Sequence, residues 1–258
     1  MVTTRTDSRR LSTAVMQRRH EPADSLDFFP TPPWATRAFC THVLPRVSPD
    51  PHLFHAPAWD PACGEGHMAG VLGEYFDQVH ASDIHPYGFG QVADFLHDDF
   101  RWKPADWIIT NPPFALARDF ILKALVQAYT GVAMLVRTAF CEGQGRYDDL
   151  FSIFPPVMLA QYVERVPMHR GRWVIDGTSA TAYCWVIWLK KFGKPIVGDT
   201  RFVWIPPSRK VLTQPDDWLR FGGCQDIPNT HKAMQLAAAN GHTPEPARET
   251  AQAELFGG

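Results

Sequence analysis

Short apolar runs recur along the chain, separated by amphipathic stretches and turn-forming residues. The runs "HAPAW" ending near Trp59, "QVHASDI", "VADFL", "DWIIT", "GVAMLVR", "MLAQYVERV" and "ATAYCWVIWL" read as strands or strand-like closures. Several lack the in–out alternation of a half-exposed sheet, which marks strands covered on both faces. Helical spacing falls between them. In "DFFPTPPWATRAFCTHVLP", Thr31 is the expected N-cap, Pro32 the first helical residue, and Trp34, Ala38 and Val43 the apolar face. A second helix follows the glycine turn at 64–66 and runs to about Phe76. A third covers "ALARDFILKALVQAY", with Phe120, Leu122, Leu125, Val126 and Tyr129 inward, and a short one covers "YDDLFSIF". The last two strands have no helix between them and pair as a hairpin across "PMHRGRWVIDGTS". The predicted fold is α/β: a Rossmann-like, seven-stranded, mostly parallel sheet with one reversed strand.

Length sets the organisation. The 258 residues suit one substantial domain with tails. Residues 1–25 are polar and basic without period and read as a disordered tail; 26–195 form the main domain. Residues 196–239 are a small extension placed for nucleic-acid contact, and 240–258 a flexible end. An apolar content of 45% and a charged content of 20% are ordinary for a globular protein. No run spans a membrane and no signal-peptide core opens the chain, so a cytoplasmic protein is expected. The five cysteines, at 40, 63, 141, 184 and 224, form no Cys-x-x-Cys and argue against a disulfide framework or structural zinc. His52 and His55 read as a surface pair, and no metal site is expected.

Net charge is −2, but it is unevenly spread. From Asp50 to Asp106 there are ten acids and two bases; from Arg137 to Lys232 there are thirteen bases and nine acids. Arg5, Arg9, Arg10, Arg18 and Arg19 add to the amino-terminal end. This distribution suits phosphate contact and equally suits an ordinary solvated surface.

The chemistry sits where predicted strands end, which in open α/β sheets is where ligands bind. "DPACGEG" at 60–66 supplies a turn in which Gly64 and Gly66 let backbone approach a ligand closely. Ala69 stands where a dinucleotide fingerprint wants its third glycine, and no Gly-Lys-Ser/Thr is present, so pyrophosphate and P-loop chemistry are disfavoured. Asp83 ends the next strand, where a carboxylate can hold both hydroxyls of a ribose. "DWIITNPPF" at 106–114 ends a buried strand in Asn111, Pro112, Pro113 and Phe114. Two prolines make this a stiff extended shelf that holds one amide and one aromatic ring still.

"DPACGEG", the "SDI" acid, "ADFL" and "TNPPF", in this order, resemble the S-adenosylmethionine-dependent amino-methyltransferases. Within them the resemblance is to the DNA adenine N6 group whose cofactor motif precedes the catalytic one. "FFPTPPW" resembles that group's amino-terminal cofactor motif, and "FVWIPPSRK" is similar to phage and prophage members. The resemblance covers roughly residues 27–210. It implies a class I methyltransferase fold with S-adenosyl-L-methionine as cofactor. Asp60 and the backbone of Ala62, Cys63, Gly64 and Gly66 would hold the methionine part, and Thr31 would approach its carboxylate. Asp83, with Ile84 beside it, would bind the ribose, and Asp94 the adenine amino group, with Phe95 against its ring. Asp99, in a second Asp-Phe pair, competes with Asp94 for that role.

On the same resemblance, the Asn111 side-chain oxygen and the Pro112 carbonyl accept the hydrogens of a target amino group while Phe114 stacks on the base. The partner is DNA, its adenine flipped out of the duplex or unpaired. Arg146, His169, Arg170 and Arg172 are expected at phosphates, and Phe140 and Trp173 at the target base. Many enzymes of this group carry a further domain that reads sequence; here recognition is expected from loops, from "WIPPSRKVLTQPDDWLRF", or from a second copy of the chain. The rival readings keep the cofactor and shelf but methylate a glutamine amide in a protein or a base in RNA, or make the chain a non-catalytic subunit.

Overall fold

A computed structural model describes residues 27–48, 52–97 and 105–222; the readings made for residues 1–25, Asp99, Cys224 and 240–258 lie outside them. Nine strands form the sheet: β1 (Ala58–Asp60), β2 (Val79–Asp83), β3 (Gln91–Val92), β4 (Trp107–Thr110), β5 (Gly131–Arg137), β6 (Met158–Tyr162), β7 (Tyr183–Lys191), β8 (Lys194–Pro195) and β9 (Arg201–Ile205). Their order is β3-β2-β1-β4-β5-β7-β6-β9, with β8 a short antiparallel addition to β7. All main neighbours are parallel except β7, which runs antiparallel between β5 and β6. Seven strands and the reversed one match the expectation. The addition is β9, which pairs in parallel with β6 and makes part of the 196–239 segment an edge of the main sheet.

The helices are α1 (Pro33–His42), α2 (Leu44–Val47), α3 (His67–Leu72), α4 (Ala117–Gln127), α5 (Gln144–Arg146), α6 (Arg209–Leu212) and α7 (Asp217–Phe221). Two apolar layers explain why the strands read as continuous runs. Trp107, Ile109, Ala133, Leu135, Trp185 and Ile187 pack with Trp34, Ala38 and Phe39 of α1. Their alternates Ile108, Val132, Met134, Val186 and Trp188 pack with Phe120, Ile121 and Leu125 of α4. Successive strand residues thus serve opposite faces, and both faces are buried.

Local chemistry corrects three details. The first helix begins at Pro33 with Pro32 as N-cap (ψ 133°), because the residue before a proline is driven to extended backbone. On α4 the inward face is Ala117, Phe120, Ile121, Ala124 and Leu125. Val126 is 80% exposed, being one residue of rotation past Leu125, and Tyr129 lies beyond the helix end. The helix after the glycine turn, α3, ends at Leu72, short of Phe76. Buried Lys190 of β7 closes the carboxyl end of α4 by donating to the Leu125 carbonyl (2.7 Å) and to that of Ala128.

One polar cluster lies inside the apolar layers. Arg37 of α1 donates from Nε and Nη2 to Glu74 (2.6 and 2.8 Å), from Nη1 and Nη2 to Asp217 of α7 (2.7 and 2.6 Å), and from Nη1 to the Leu212 carbonyl (2.9 Å). Arg37 and Asp217 are almost wholly buried. The contact fastens the carboxyl-terminal helices to the front of the domain.

Candidate functional site

The carboxyl ends of β1, β2 and β4 open on one cavity of about 370 Å³, bounded also by the segment leading into α1. Its walls include Thr31, Asp60, Ala62, Cys63, Asp83, Ile84, Asn111 and Pro113. Residues spread over eighty positions of sequence therefore meet because the topology brings these strand ends together.

Asp60 ends β1 fully buried. Its Oδ1 accepts from the Thr110 hydroxyl (2.7 Å) and the Ala62 amide (3.3 Å), while Oδ2 has no hydrogen-bond partner among the described residues. Burial raises its pKa to about 7; the Thr110 and Ala62 bonds oppose the shift, Asp83 adds to it, and the Ala69 amide opposes it weakly. Asp83, at the end of β2, takes the Gly64 amide on Oδ2 (2.9 Å) and the His85 amide on Oδ1 (3.0 Å), so two loops hold one carboxylate at the cavity wall. Gly64 (φ 52°) and Gly66 (φ 87°) occupy the left-handed region. The rings of Phe28 and Phe89 lie where their Cβ atoms would be, so no larger residue fits either place.

Asn111 follows β4. Its Nδ2 donates to the Phe29 carbonyl (2.8 Å) and faces the Met168 sulfur at 3.8 Å. Its Oδ1 is buried and has no partner among the described residues. The amide is thus oriented from its nitrogen end, leaving the oxygen as an unused acceptor. The Phe114 amide donates to Asp27 Oδ2 (2.5 Å), and its ring meets Phe29 at 5.1 Å between centroids.

Other expected residues lie elsewhere. Asp94 is exposed and accepts from its own neighbour Leu96 (2.9 Å), and Phe95 is buried edge-on against Trp59 and beside Phe120. Neither lines the cavity: β3 is only two residues long, and the chain after it turns toward α4. Trp173 belongs to a packing cluster with Val71 and Phe221, which corrects its placement at a target base. Arg146 is drawn into its own loop, donating to the carbonyls of Phe140 (2.7 Å), Ala139 (3.4 Å) and Glu142, and its guanidinium lies over the Phe140 ring at 5.1 Å. That arrangement corrects Arg146 as an outward phosphate contact and leaves Phe140 packed against the core. Arg170 and Arg172 are exposed and His169 half-buried on a loop whose Gly171 amide donates to the Phe28 carbonyl (2.8 Å). Their loop therefore adjoins the cavity's entrance segment.

Sequence reasoning missed Asp27, Phe28, Phe29, His67, His85 and Tyr87, which also line the cavity, and Met168 at Asn111. "FFPTPPW" carried a signal for Phe28 and Phe29; His67 opens α3, and the others carry no local pattern. Among the described residues, no cluster of three or more His, Cys, Asp or Glu could hold a metal ion, and no helix is long and apolar enough to cross a membrane.

The strand order, with β7 reversed between β5 and β6, is that of the class I methyltransferase fold. No family model matches the sequence, and no curated protein does. Among solved structures, a modification subunit attributed to a type I restriction enzyme of Vibrio vulnificus matches 84% of this chain and 54% of its own at 12% identity, TM-score 0.47. A type I restriction-modification methyltransferase subunit from Streptococcus thermophilus matches 65% of this chain and 48% of its own at 11% identity, TM-score 0.40. Magnesium protoporphyrin IX methyltransferase from Synechocystis, solved with S-adenosylmethionine bound, matches 61% of this chain and 80% of its own at 12% identity, TM-score 0.42. This chain spans about half the length of the two restriction-system subunits. At such identities the likeness is one of fold.

Proposed function

We propose that this protein transfers a methyl group from S-adenosylmethionine to the N6 amino group of adenine in DNA. The observation that carries the reading is the Asn111 oxygen: buried, oriented through its own amide nitrogen, and without a partner among the described residues. A buried acceptor left open costs stability, and a substrate N–H is what would satisfy it.

The cavity's residues fit the cofactor. Asp83 is held by two backbone amides at the end of β2 and suits the ribose hydroxyls. Asp60 turns one unpartnered oxygen into a site that would take a cationic methionine group, and Thr31 lies on the same wall. The cavity volume falls within the range of small-molecule sites. When bound, S-adenosylmethionine supplies a methyl group made electrophilic by a positively charged sulfur.

The chain's own part is to make an aromatic amine nucleophilic. Such a nitrogen shares its lone pair with the ring. Hydrogen bonds from its two N–H groups to Asn111 Oδ1 and the Pro112 carbonyl localise that pair and set its direction. Phe114 holds the base plane by stacking. Two prolines fix the acceptors before substrate arrives, so little reorganisation remains at reaction. No strong base is needed, because the proton can leave once the nitrogen has become cationic.

Tritiated methyl transfer tests the reading. The purified chain is incubated with unmethylated DNA, RNA and protein pools, and the products are hydrolysed and separated. Label in N6-methyladenine from DNA is expected. Label confined to RNA nucleosides or to methylglutamine would move the substrate, and no label in any pool would remove the enzymatic reading.

A further inference from the structure

The stacking face of Phe114 is already in use. Arg137, the last residue of β5, lies across it with its guanidinium carbon 4.0 Å from the ring centroid. Two further rings neighbour it, Phe29 at 5.1 Å and Tyr183 at 6.1 Å, both tilted. Tyr183 sits opposite Arg137 in the β5–β7 register and hydrogen-bonds with it. Arg137 itself is exposed, unlike the six buried β5 residues before it. The acceptor at Asn111, three residues before Phe114, is shielded from solvent. A base that stacks on the ring face under Arg137 must displace that side chain, which is exposed, long and able to move. An arginine leaving a ring face keeps its charge and its planar donors, which match a phosphate.

We propose that Arg137 is a nucleic-acid contact that exchanges partners, resting on the Phe114 ring in the free protein and moving to a phosphate beside the target nucleotide when a base takes its place. The inference rests on the reading of Phe114 as the base-stacking residue. It explains why a strand otherwise wholly buried ends in an exposed arginine at the rim of the site. It also gives the ring a cover that keeps an apolar face out of water between turnovers.

Two measurements on the full chain test it, with a mixed-sequence single-stranded DNA oligonucleotide as probe. The first is the Arg137 Nε–Hε resonance, assigned by its loss in Arg137→Gln. With the guanidinium carbon 4.0 Å from the Phe114 centroid, this proton is expected to be shifted upfield by the ring in the free protein, and saturation with DNA should abolish the shift. The second is the salt dependence of binding. Arg137→Gln should flatten the slope of log affinity against log salt by about 0.7, the contribution of one phosphate contact on a single strand. Arg137→Lys should keep the wild-type slope. An upfield shift that persists in the saturated complex, or a wild-type slope in Arg137→Gln, overturns the exchange. Methyl transfer to the same oligonucleotide is scored in parallel. Transfer with an unchanged slope refutes the exchange and leaves the reaction standing; a flattened slope without transfer supports the exchange and counts against the reaction. Failure to bind the oligonucleotide at low salt overturns both.

Discussion

Around Arg37 all three guanidinium nitrogens donate to carboxylates or a carbonyl, whereas one buried oxygen each of Asp60 and Asn111 has no donor among the described residues. Both clusters sit inside the same fold and both bury polar groups. The first is closed: Glu74 and Asp217 neutralise Arg37, and Arg220 adds a second cation to Glu74 at 2.8 Å. The second is open, at the carboxyl ends of parallel strands and on a cavity. A closed cluster holds parts of a chain together. An open one bears a free-energy cost that a ligand or a bound water removes. What sets the open oxygens of Asp60 and Asn111 apart is that both residues also line the cavity.

The comparison breaks most readily at the closed cluster. Asp217→Ala leaves Arg37 buried with one of its two carboxylate partners gone, and should lower unfolding free energy by about 3–5 kcal/mol. Urea denaturation checks it. The loss should reach the whole domain, because the pair ties α1 to the carboxyl-terminal helices. A midpoint equal to wild type would mean that water or Glu74 alone satisfies Arg37.

Asn111→Ala is the matching change at the open cluster, and its effects should be inverted. It removes one donor contact to Phe29, so stability should fall by only about 1 kcal/mol. Methyl transfer should fall about a hundred- to a thousandfold, the usual cost of removing one preorganised group at a reacting centre. Single-turnover rates and urea midpoints, measured on both variants, give the crossed pattern. Near-normal transfer by Asn111→Ala would reduce the shelf to a turn.

Between these extremes stands Asp83, whose two oxygens are partly used by Gly64 and His85. Asp83→Ala should weaken binding of S-adenosylhomocysteine by about 1.5–3 kcal/mol, roughly ten- to a hundredfold, by removing a charged acceptor for neutral hydroxyls. Calorimetry on the folded variant decides it; unchanged affinity would take the ribose away from this residue.

The same contrast shows what the sequence could reveal. Strands β4, β5 and β7 were legible because burial on both faces leaves unbroken apolar runs. β9 was not, because its largest apolar side chains, Phe202 and Trp204, face solvent while Val203 and Ile205 turn inward. The open cluster was legible because strand-end residues of odd type stand out locally, as Asp60, Asp83 and Asn111 do. The closed one was invisible: Arg37 meets Asp217 across 180 positions, and nothing near either residue announces the other. Asp94-Phe95 misled for the opposite reason. A local pattern suggested a ligand contact, but the turn after β3 sends the phenyl ring into the core against Trp59.

The smallest expected effect sharpens the comparison at Asp60. Burial holds this carboxyl near a pKa of about 7, far above its ordinary range, against the opposing bonds from Thr110 and Ala62. A cationic ligand prefers the ionised form. Its binding should therefore release a proton and should strengthen as pH rises toward 7, then level off once Asp60 is ionised without help. Between pH 8 and pH 6 the affinity for S-adenosylhomocysteine, whose amino group supplies the cation, should fall by about tenfold. Asp60→Asn, neutral throughout, should bind weakly with no such slope. Calorimetry in two buffers of different ionisation enthalpy reads the released proton directly. A wild-type affinity that is flat across this range, with no proton released, would mean that Asp60 Oδ2 meets no cation, and the open oxygen would then belong to a bound water and not to the ligand.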